Sequence, residues 1–467
     1  MLHNKKFLYC LLSVEIIGVI LTLLFGLSVF ADNIEHIRMS WLVCQGYVPY
    51  RDFFEHHHPL IWYIFAPFML ILPHNALVVF YTSRFLSSLA SIVTLYLIYR
   101  IFVRFLRAKQ AFIYFLTVLF SLFPLWYSIP IFKPDTFARL FYFAGLYSFF
   151  TYLELKKTKD LAWCAIFFII AFWFLQTVVF CIIPLALPLI YLWCKEHKIG
   201  QDIIKASIIP IIVCVGIITL LFYSGTWQRY FELNWIFNAK LFSTLFPQSE
   251  TCLWYFSLII SAAFIAFIWL LKKHLANTYI KIIAFLFICE LLQHIYFTAV
   301  YPHYLVNLLI FASIIIALAL PYVFNNCLEW YISAYLILIL PVNFITLYYW
   351  NSFSTIYNLS LINQNPNDKV LHLTYWVDNI YAPLYFYHTM GNDTRILEDY
   401  IFHRYEDFDI NSFIEDNKIK FINYKKPKDK KEIITIDSFD FQRFIISPET
   451  ISHYKQISPD IWQRIDD

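Results

Sequence analysis

Long apolar runs, separated by short polar segments, occupy most of the first 350 residues. The first run extends from Phe7 to Phe30 after two lysines, and we interpret it as an uncleaved helix because it is too long for a typical signal-peptide core. Together with it, we predict about eleven transmembrane helices. The further predicted spans are 77–103, 111–128, 138–155, 161–178, 179–194, 206–223, 252–271, 280–300, 304–324 and 331–350.

Two parts of the chain depart from this pattern. Residues 59–73 are apolar but short and bounded by prolines, so we expect an interfacial or re-entrant helix in the first outer loop. Residues 351–467 form a polar tail that follows the predicted membrane domain, residues 1–350. The tail has β-like runs and helix-like stretches, which predict a small soluble α/β domain. These are Val370–Leu373, Ile419–Asn423 and Ile433–Ile436, with helices near 376–388 and 409–417.

The distribution of lysine and arginine supports this arrangement of spans. Four cationic clusters fall on one side when the spans alternate, as the positive-inside rule requires for a cytoplasmic side. They are Arg100, Arg104, Arg107 and Lys109; Lys156, Lys157 and Lys159; Lys195, Lys198 and Lys205; and Lys272, Lys273 and Lys281. Residues 31–58, residues 129–137 and the tail therefore fall on the outer side.

The composition excludes several classes of protein. With 60% hydrophobic and 14% charged residues, the chain has too few charges to cover a soluble surface. A net charge of +3 without a basic stripe argues against nucleic acid as a partner. The eight glycines fit no glycine-rich nucleotide motif, and most cysteines lie inside apolar runs, so neither a nucleotide cradle nor a disulfide framework is predicted.

The first outer loop carries two acidic residues directly after the first span. Asp32 and Glu35 are three positions apart, so one further helical turn would place them on one face. A partly desolvated carboxylate at the membrane boundary is a plausible general base. An ordinary solvated helix end explains the same spacing.

The same loop ends in a cluster of metal-ligand types. Asp52 and Glu55 precede His56, His57 and His58. In an extended segment His56 and His58 would share a face, while His57 would point away. The cluster could hold a divalent metal ion, could contact phosphate or substrate, or could be a polar turn before a membrane-surface helix.

Several lysine and arginine residues fall on the predicted outer side, where the positive-inside rule disfavours them. Lys133 and Arg139 flank Asp135 in the second outer loop, and Arg38, Arg51 and Arg84 share the misfit. An anionic partner near the outer surface, such as a lipid phosphate, would explain them. Simple snorkelling to lipid headgroups is the alternative.

A late span carries a polar stripe. Glu290, Gln293 and His294 lie on one helical face, followed by His303, Tyr304 and Asn307. A charge inside the bilayer is costly, so the stripe should face a protein or water-filled cavity, or should form hydrogen bonds between packed spans.

The outer-loop motifs resemble those of the GT-C membrane glycosyltransferases. The similarity is strongest to family 39, the protein O-mannosyltransferase-like enzymes, with aminoarabinose lipid A transferases as relatives. It rests on Asp32 to Glu35, on the stretch GYVPYRDFFEHHHPL, on KPD in the second outer loop and on PHY before a late span. The family's adjacent Asp-Glu pair is absent, since Asn33 follows Asp32, and its His-Pro-Pro-Leu stretch is reduced to His58-Pro59-Leu60.

This resemblance implies an inverting glycosyltransferase that moves a sugar from a polyprenyl-phosphate donor to a hydroxyl or phosphate acceptor on the outer face of the bacterial inner membrane. It implies that Asp32 is the catalytic base, with Glu35 as the other candidate. The acceptor could be protein, lipid or glycan. Candidate contacts to the donor or substrate are Arg38, Tyr50, Asp52, Glu55, His56, His57, His58, Lys133, Asp135, Arg139, His303 and Tyr304.

Two other classes of function stay open. A transporter or flippase of lipid-linked sugar would also place polar residues within spans, although we find neither inverted repeats nor glycine-broken helices. A non-catalytic assembly protein could use the tail as its binding module. Loss of turnover on changing Asp32, without loss of folding, would distinguish the enzyme.

Overall fold

The computed structural model describes part of the chain, which divides into two compact units. The described residues are 13, 31–53, 55–72, 76–120, 122, 131–240, 257–273, 277–296, 305–323, 370–372, 410–416, 418–423, 446–458 and 461–465. One unit comprises residues 1–26, 84–217 and 248–350, and the other comprises residues 27–83, 218–247 and 351–467. The predicted domain boundary at residue 350 stays a prediction.

Helices make up the described part of the first unit. They are α3 (Ala76–Arg104, which begins in the second unit), α4 (Ala111–Phe120), α5 (Pro134–Leu155), α6 (Thr158–Phe174), α7 (Val179–Lys195), α8 (His197–Tyr223, which ends in the second unit), α10 (Ser257–Lys273), α11 (Thr278–Tyr296) and α12 (Val306–Val323). Each coincides with a predicted span, to within a few residues at most ends. The predicted division near residues 176–179 is present, because a 3₁₀ turn at Gln176–Val178 separates α6 from α7.

Several described helices have the length and polarity of membrane spans. Four segments within the described residues are long and apolar enough to cross a bilayer: Val78–Arg104, Gln176–Lys195, Lys198–Tyr223 and Thr278–Ile295. Leu60–Ile71, Ser257–Leu270 and Val306–Leu320 are apolar but shorter. The predicted spans at 7–30 and 331–350 lie outside the described residues, so the total of about eleven stays a prediction.

Helix α8 begins nine residues earlier than the apolar pattern predicts, which starts the span at residue 206. Its first turns carry Asp202, which is buried and accepts hydrogen bonds from the hydroxyls of Tyr152 (3.1 Å) and Thr158 (2.5 Å). These bonds to α5 and α6 stabilise a polar helical extension at the predicted cytoplasmic end. Periodicity alone could not show them, because both partners are distant in sequence.

The core of the first unit surrounds α12. Nearly every side chain from Leu305 to Ala319 is buried, and α12 packs against α4, α10 and α11. By contrast, the apolar side chains of α8 between Ile204 and Leu220 are largely exposed. A protein surface this apolar is stable in lipid, not in water, which agrees with the predicted membrane span.

The second unit contains several segments that are predicted to lie on the outer side. Helices α1 (Ala31–Cys44) and α2 (Leu60–Ile71) pack against each other, and a short helix α9 (Trp227–Phe231) continues into a π-helical turn at Glu232–Phe237. At 12 residues, α2 is about 18 Å long, too short to cross a bilayer. Trp62 and Phe65 are buried, while Leu70 and Ile71 are exposed, as expected for the predicted interfacial helix.

The described tail residues form a four-stranded sheet of order β1-β2-β4-β3. Its elements are β1 (Val370–His372), α13 (Ile410–Asp416), β2 (Phe421–Asn423), α14 (Pro448–Ser452), β3 (Tyr454–Ser458) and β4 (Ile461–Arg464). Strands β1 and β2 are parallel, and the other pairs are antiparallel. The predicted strands at 370–373 and 419–423 and the helix at 409–417 are present. The sequence does not predict strands β3 and β4. The predicted helix near 376–388 and the predicted strand at 433–436 lie outside the described residues.

We expect Gly145→Ala to destabilise the first unit. A Cβ at this position of α5 would overlap the Phe168 ring of α6, so the two helices would have to repack, at a cost of about 1–3 kcal/mol. The melting temperature of the full chain in detergent measures the loss. Gly216→Ala in α8 is the matched control, because its Cβ would meet no atom within 4 Å. Equal melting temperatures for the two variants would contradict close packing of α5 on α6.

Candidate active site

The loop between α1 and α2 is folded tightly by its own polar groups. Gly46 and Tyr50 have positive φ angles of 89° and 67°, and the Asp52 carboxylate accepts a hydrogen bond of 2.7 Å from the Val48 amide. The buried Tyr50 hydroxyl donates to the carbonyl of His57 at 2.7 Å. This bond brings the two halves of the loop together and sets the direction of the histidine run.

A buried carboxylate lies at the centre of this loop. Glu55 is fully buried, and its Oε1 accepts hydrogen bonds from the His56 amide (2.8 Å), the His57 amide (3.2 Å) and His57 Nδ1 (2.7 Å). The Glu55 Oε2 has no hydrogen-bond partner among the described residues. Glu35 of α1 approaches from the other side, with its Oε1 3.9 Å from His57 Nδ1.

The environment of Glu55 keeps it ionised. Burial by itself would raise the pKa of this carboxyl, but the positive charge and hydrogen bond of the His57 ring outweigh burial and lower the pKa to about 2. The site therefore holds a carboxylate at neutral pH. Such a group is poised to bind cations or hydrogen-bond donors.

The three histidines of this loop have different partners. The rings of His56 and His57 lie together, with centroids 4.1 Å apart, whereas His58 Nε2 bonds the Tyr230 hydroxyl at 3.0 Å. His56 also bonds Asn238, so His56 and His58 both contact residues 230–238, in agreement with the predicted shared face, whereas His57 lies near Glu35 of α1. The Asp52 carboxylate accepts hydrogen bonds from Arg51 and the Val48 amide, and its contact to donor or substrate stays a prediction.

Four side chains in this loop and α1 form a metal-ligand constellation. One ligand atom from each of Glu35, Glu55, His56 and His57 lies within 4.8 Å of all the others, among the residues that the structure describes. Two imidazoles and two carboxylates are a donor set typical of zinc and other first-row transition metals. The donor set therefore fits a divalent ion.

The remaining candidates in α1 are partly described. Residues 31–44 are helical, so the turn that places Asp32 and Glu35 on one face is present, although the Asp32 side chain lies outside the described residues. Arg38 is fully buried in the same helix. A buried guanidinium is at odds with snorkelling to lipid headgroups, which would leave it exposed.

The second outer motif begins helix α5 in the first unit. Lys133 is extended and largely buried, Pro134 occupies the first helical turn, and Asp135 follows where a negative charge is favoured by the helix dipole. Arg139 lies one turn further on the same face as Asp135. KPD therefore forms a helix start that holds a cation and an acid at one end of a predicted span.

Polar residues within the helices of the first unit contact one another. Arg139 Nε donates to Asn307 Oδ1 of α12 at 3.1 Å, and Asn307 Nδ2 lies 3.7 Å from Cys181 Sγ of α7. Glu290 and His294 are both buried, with Glu290 Oε2 3.7 Å from His294 Nε2. These contacts include the interhelical hydrogen bonding considered above. His303 and Tyr304 lie outside the described residues.

Tyr230 and Asn238 are two further site residues, in a segment that the sequence does not single out. Tyr230 bonds His58, and Asn238 bonds His56 through both its Oδ1 (2.8 Å, to Nδ1) and its Nδ2 (2.8 Å, to the carbonyl). The predicted topology could have indicated them. Because the spans alternate in direction, residues 224–251 fall on the same predicted side as the first outer loop, so polar residues in this aromatic stretch are candidates for the same site.

Comparisons with known proteins agree with the predicted resemblance. The family model described as dolichyl-phosphate-mannose-protein mannosyltransferase matches residues 56–223, which begin at the histidine run and include the KPD motif. No curated protein matches the chain significantly.

The fold is also similar to solved structures. One is the crystal structure of ArnT from Cupriavidus metallidurans in the apo state, with a TM-score of 0.54, 10% identity, and coverage of 81% of this chain and 86% of that one. At this identity the likeness concerns the fold. The two matches confirm the resemblance to GT-C glycosyltransferases, and with the apolar helices they indicate an integral membrane protein.

We expect Glu55→Ala to loosen the loop at residues 50–58. The buried amides of His56 and His57 would lose their acceptor, which costs about 1–3 kcal/mol. Faster amide hydrogen exchange in peptides covering this loop would report the loss. Arg51→Ala is the control, because its ion pair with Asp52 is exposed at the surface and contributes little. If Glu55→Ala exchanged no faster than Arg51→Ala, Glu55 would not organise the loop.

Proposed function

We propose that this chain is an inverting glycosyltransferase that moves a sugar from a polyprenyl-phosphate donor to a hydroxyl or phosphate acceptor on the outer face of the membrane. The observation that carries the proposal is the cluster of buried Glu35 and Glu55 with half-buried His56 and His57, whose histidines begin the region that matches the dolichyl-phosphate-mannose-protein mannosyltransferase family. An acid and imidazole cluster in a predicted outer loop is suited to chemistry on a phosphorylated donor.

In the proposed reaction, a carboxylate takes the proton of the acceptor hydroxyl as its oxygen attacks the anomeric carbon. The bond between that carbon and the phosphate oxygen breaks on the opposite face, and polyprenyl phosphate leaves with the electron pair. We assign the base role to Asp32. Glu35 is the alternative base, but its position beside His57 favours a role within the cluster.

Cationic and polar groups would stabilise the leaving phosphate. Charge-assisted hydrogen bonds to phosphate oxygens are stronger than neutral ones, and preorganised donors lower the barrier as charge develops. We assign this role to Arg38, Lys133 and Arg139, with Asp135 and Tyr50 orienting them or the sugar. His303 and Tyr304 are proposed as further donor contacts on the same side. The isoprenoid chain would lie against the apolar helices, so no glycine-rich nucleotide loop is needed.

We further propose that the cluster binds a divalent metal ion. Glu35, His56, His57 and the Glu55 Oε2 would hold it. Such an ion would act as a Lewis acid toward a phosphate oxygen of the donor. The protein supplies the preformed, buried ligand set.

We expect Asp32→Asn to lower the transfer rate by at least about 10²-fold, because general-base catalysis contributes roughly that much. The assay follows the release of polyprenyl phosphate in native membranes that contain the acceptor, offered a panel of polyprenyl-phosphate sugars. Glu196→Gln, on a predicted cytoplasmic loop, is the matched control and should retain activity. Full activity of a folded Asp32→Asn variant would exclude Asp32 as the base. Movement of donor across the membrane without its consumption would favour a flippase.

We expect the purified wild-type chain to bind about one equivalent of Zn²⁺, and the double variant His56→Ala/His57→Ala to bind none at this site. Removing two ligands leaves carboxylates alone, which hold such ions weakly. Titration calorimetry on the metal-free chain measures binding. His453→Ala in the tail is the control for non-specific histidine binding. Equal binding by the wild type and the double variant would refute the metal site.

A further inference from the structure

Asn238 holds one histidine of the cluster in a defined orientation. It follows the π-helical turn Glu232–Phe237, which lies far from the histidines in sequence but in the same unit. Its side chain contacts His56 twice, with Oδ1 2.8 Å from His56 Nδ1 and Nδ2 2.8 Å from the His56 carbonyl oxygen. The ring and the backbone of His56 are therefore held by one amide.

The direction of the Asn238 amide follows from its other contact. Its Nδ2 also lies 3.0 Å from the carbonyl oxygen of Asn234, so it faces two carbonyl acceptors. Only the NH₂ end of an amide can donate to carbonyls, so the oxygen end must face His56 Nδ1. Because that oxygen can only accept, His56 Nδ1 must carry a proton. In the neutral ring, Nε2 is then the unprotonated nitrogen.

The π-helical turn makes this arrangement possible. In an α-helix the backbone amide of Asn238 would bond the Asn234 carbonyl, but here it bonds the Trp235 carbonyl instead. The Asn234 carbonyl is thus available to the Asn238 side chain. Single π-helical turns within helices often occur at functional sites, and this one orients a histidine partner.

The His57 ring also donates through Nδ1, but to a different group. Its Nδ1 lies 2.7 Å from the Glu55 carboxylate, which can only accept, so this nitrogen also carries a proton. The other two histidines of the region differ. His36 Nδ1 accepts from the Trp62 indole at 3.1 Å, and His58 Nε2 already bonds Tyr230. His56 and His57 therefore both carry a proton on Nδ1.

We propose that Asn238 is a positioning residue that keeps neutral His56 in its Nδ1-protonated tautomer, so that Nε2 is the nitrogen through which the neutral ring would bind a ligand. The outer segment after α9 thereby takes part in the site of the first outer loop. The expected effect on metal binding rests on the proposed function, because it concerns the same ligand set. The tautomer of His56 does not depend on the proposed function.

The test is the tautomer of His56 in the full-length chain. Selective ¹⁵N labelling of histidine, with His56→Gln to assign the signal, reports which ring nitrogen is protonated at about pH 8. We expect protonated Nδ1 in the wild type. In Asn238→Ala the acceptor is lost, and we expect a shift toward the Nε2-protonated form that free histidine prefers in water. Asn238→Asp keeps an acceptor oxygen, and we expect it to restore the wild-type signal.

Asn277→Ala is the matched control. Asn277 caps α11 by accepting from the amides of Tyr279 and Ile280, so its loss destabilises the fold without contacting His56. We expect its His56 signal to match the wild type. A wild-type His56 protonated at Nε2, or an unchanged tautomer in Asn238→Ala, would overturn the proposal. A change of the same size in Asn277→Ala would also overturn it, because the effect would then be structural.

Metal titration separates this inference from the proposed function. If the ion binds, Asn238→Ala should weaken Zn²⁺ affinity by about 10- to 100-fold, as loss of a partner to a ligating histidine does elsewhere, and Asn238→Asp should retain it. Unchanged Zn²⁺ affinity in Asn238→Ala would overturn the positioning role. No Zn²⁺ binding by the wild type, together with the expected tautomer change, would refute the metal proposal and leave the positioning of His56 supported.

Discussion

The ionised carboxylate of Glu55, buried in an outer loop of a largely apolar protein, is the interaction on which the candidate site depends. Burying a charge without partners is very costly, so the loop must supply hydrogen-bond donors to it. It does so with two backbone amides and the His57 ring, all converging on one oxygen. The same carboxylate lies with Glu35, His56 and His57 in the ligand cluster.

Each neighbouring element adds one constraint to this arrangement. Helix α1 brings Glu35 to His57, the Tyr50 hydroxyl closes the loop on the His57 carbonyl, and the segment after α8 bonds His56 and His58 through Asn238 and Tyr230. Side chains held from several directions lose little further freedom on binding a ligand, which is the general advantage of preorganisation. In the first unit, a hydrogen bond between helices has a similar role: Arg139 of α5 donates to Asn307 of α12.

Much of this architecture could be predicted from the sequence because its physical basis is local. Spans follow from the length of apolar runs, and the side of each loop follows from the lysines and arginines that flank it. The acids, histidines and KPD motif stand out because polar residues are rare in such a chain. The short strands β3 and β4 could not be predicted, because four or five residues show no clear alternation of apolar and polar side chains. Their sheet also depends on the pairing of β4 with β2.

The sequence by itself therefore determined the membrane class, the predicted topology and the loops in which chemistry is concentrated, since hydropathy and charge act on each segment independently of its partners. Only the tertiary structure decided which histidine rings lie together, which ring nitrogen of His56 and His57 carries the proton, and that Asn238 and Tyr230 bond His56 and His58. Those choices depend on hydrogen bonds between residues more than 170 positions apart, whose energies are set by distance and direction in space.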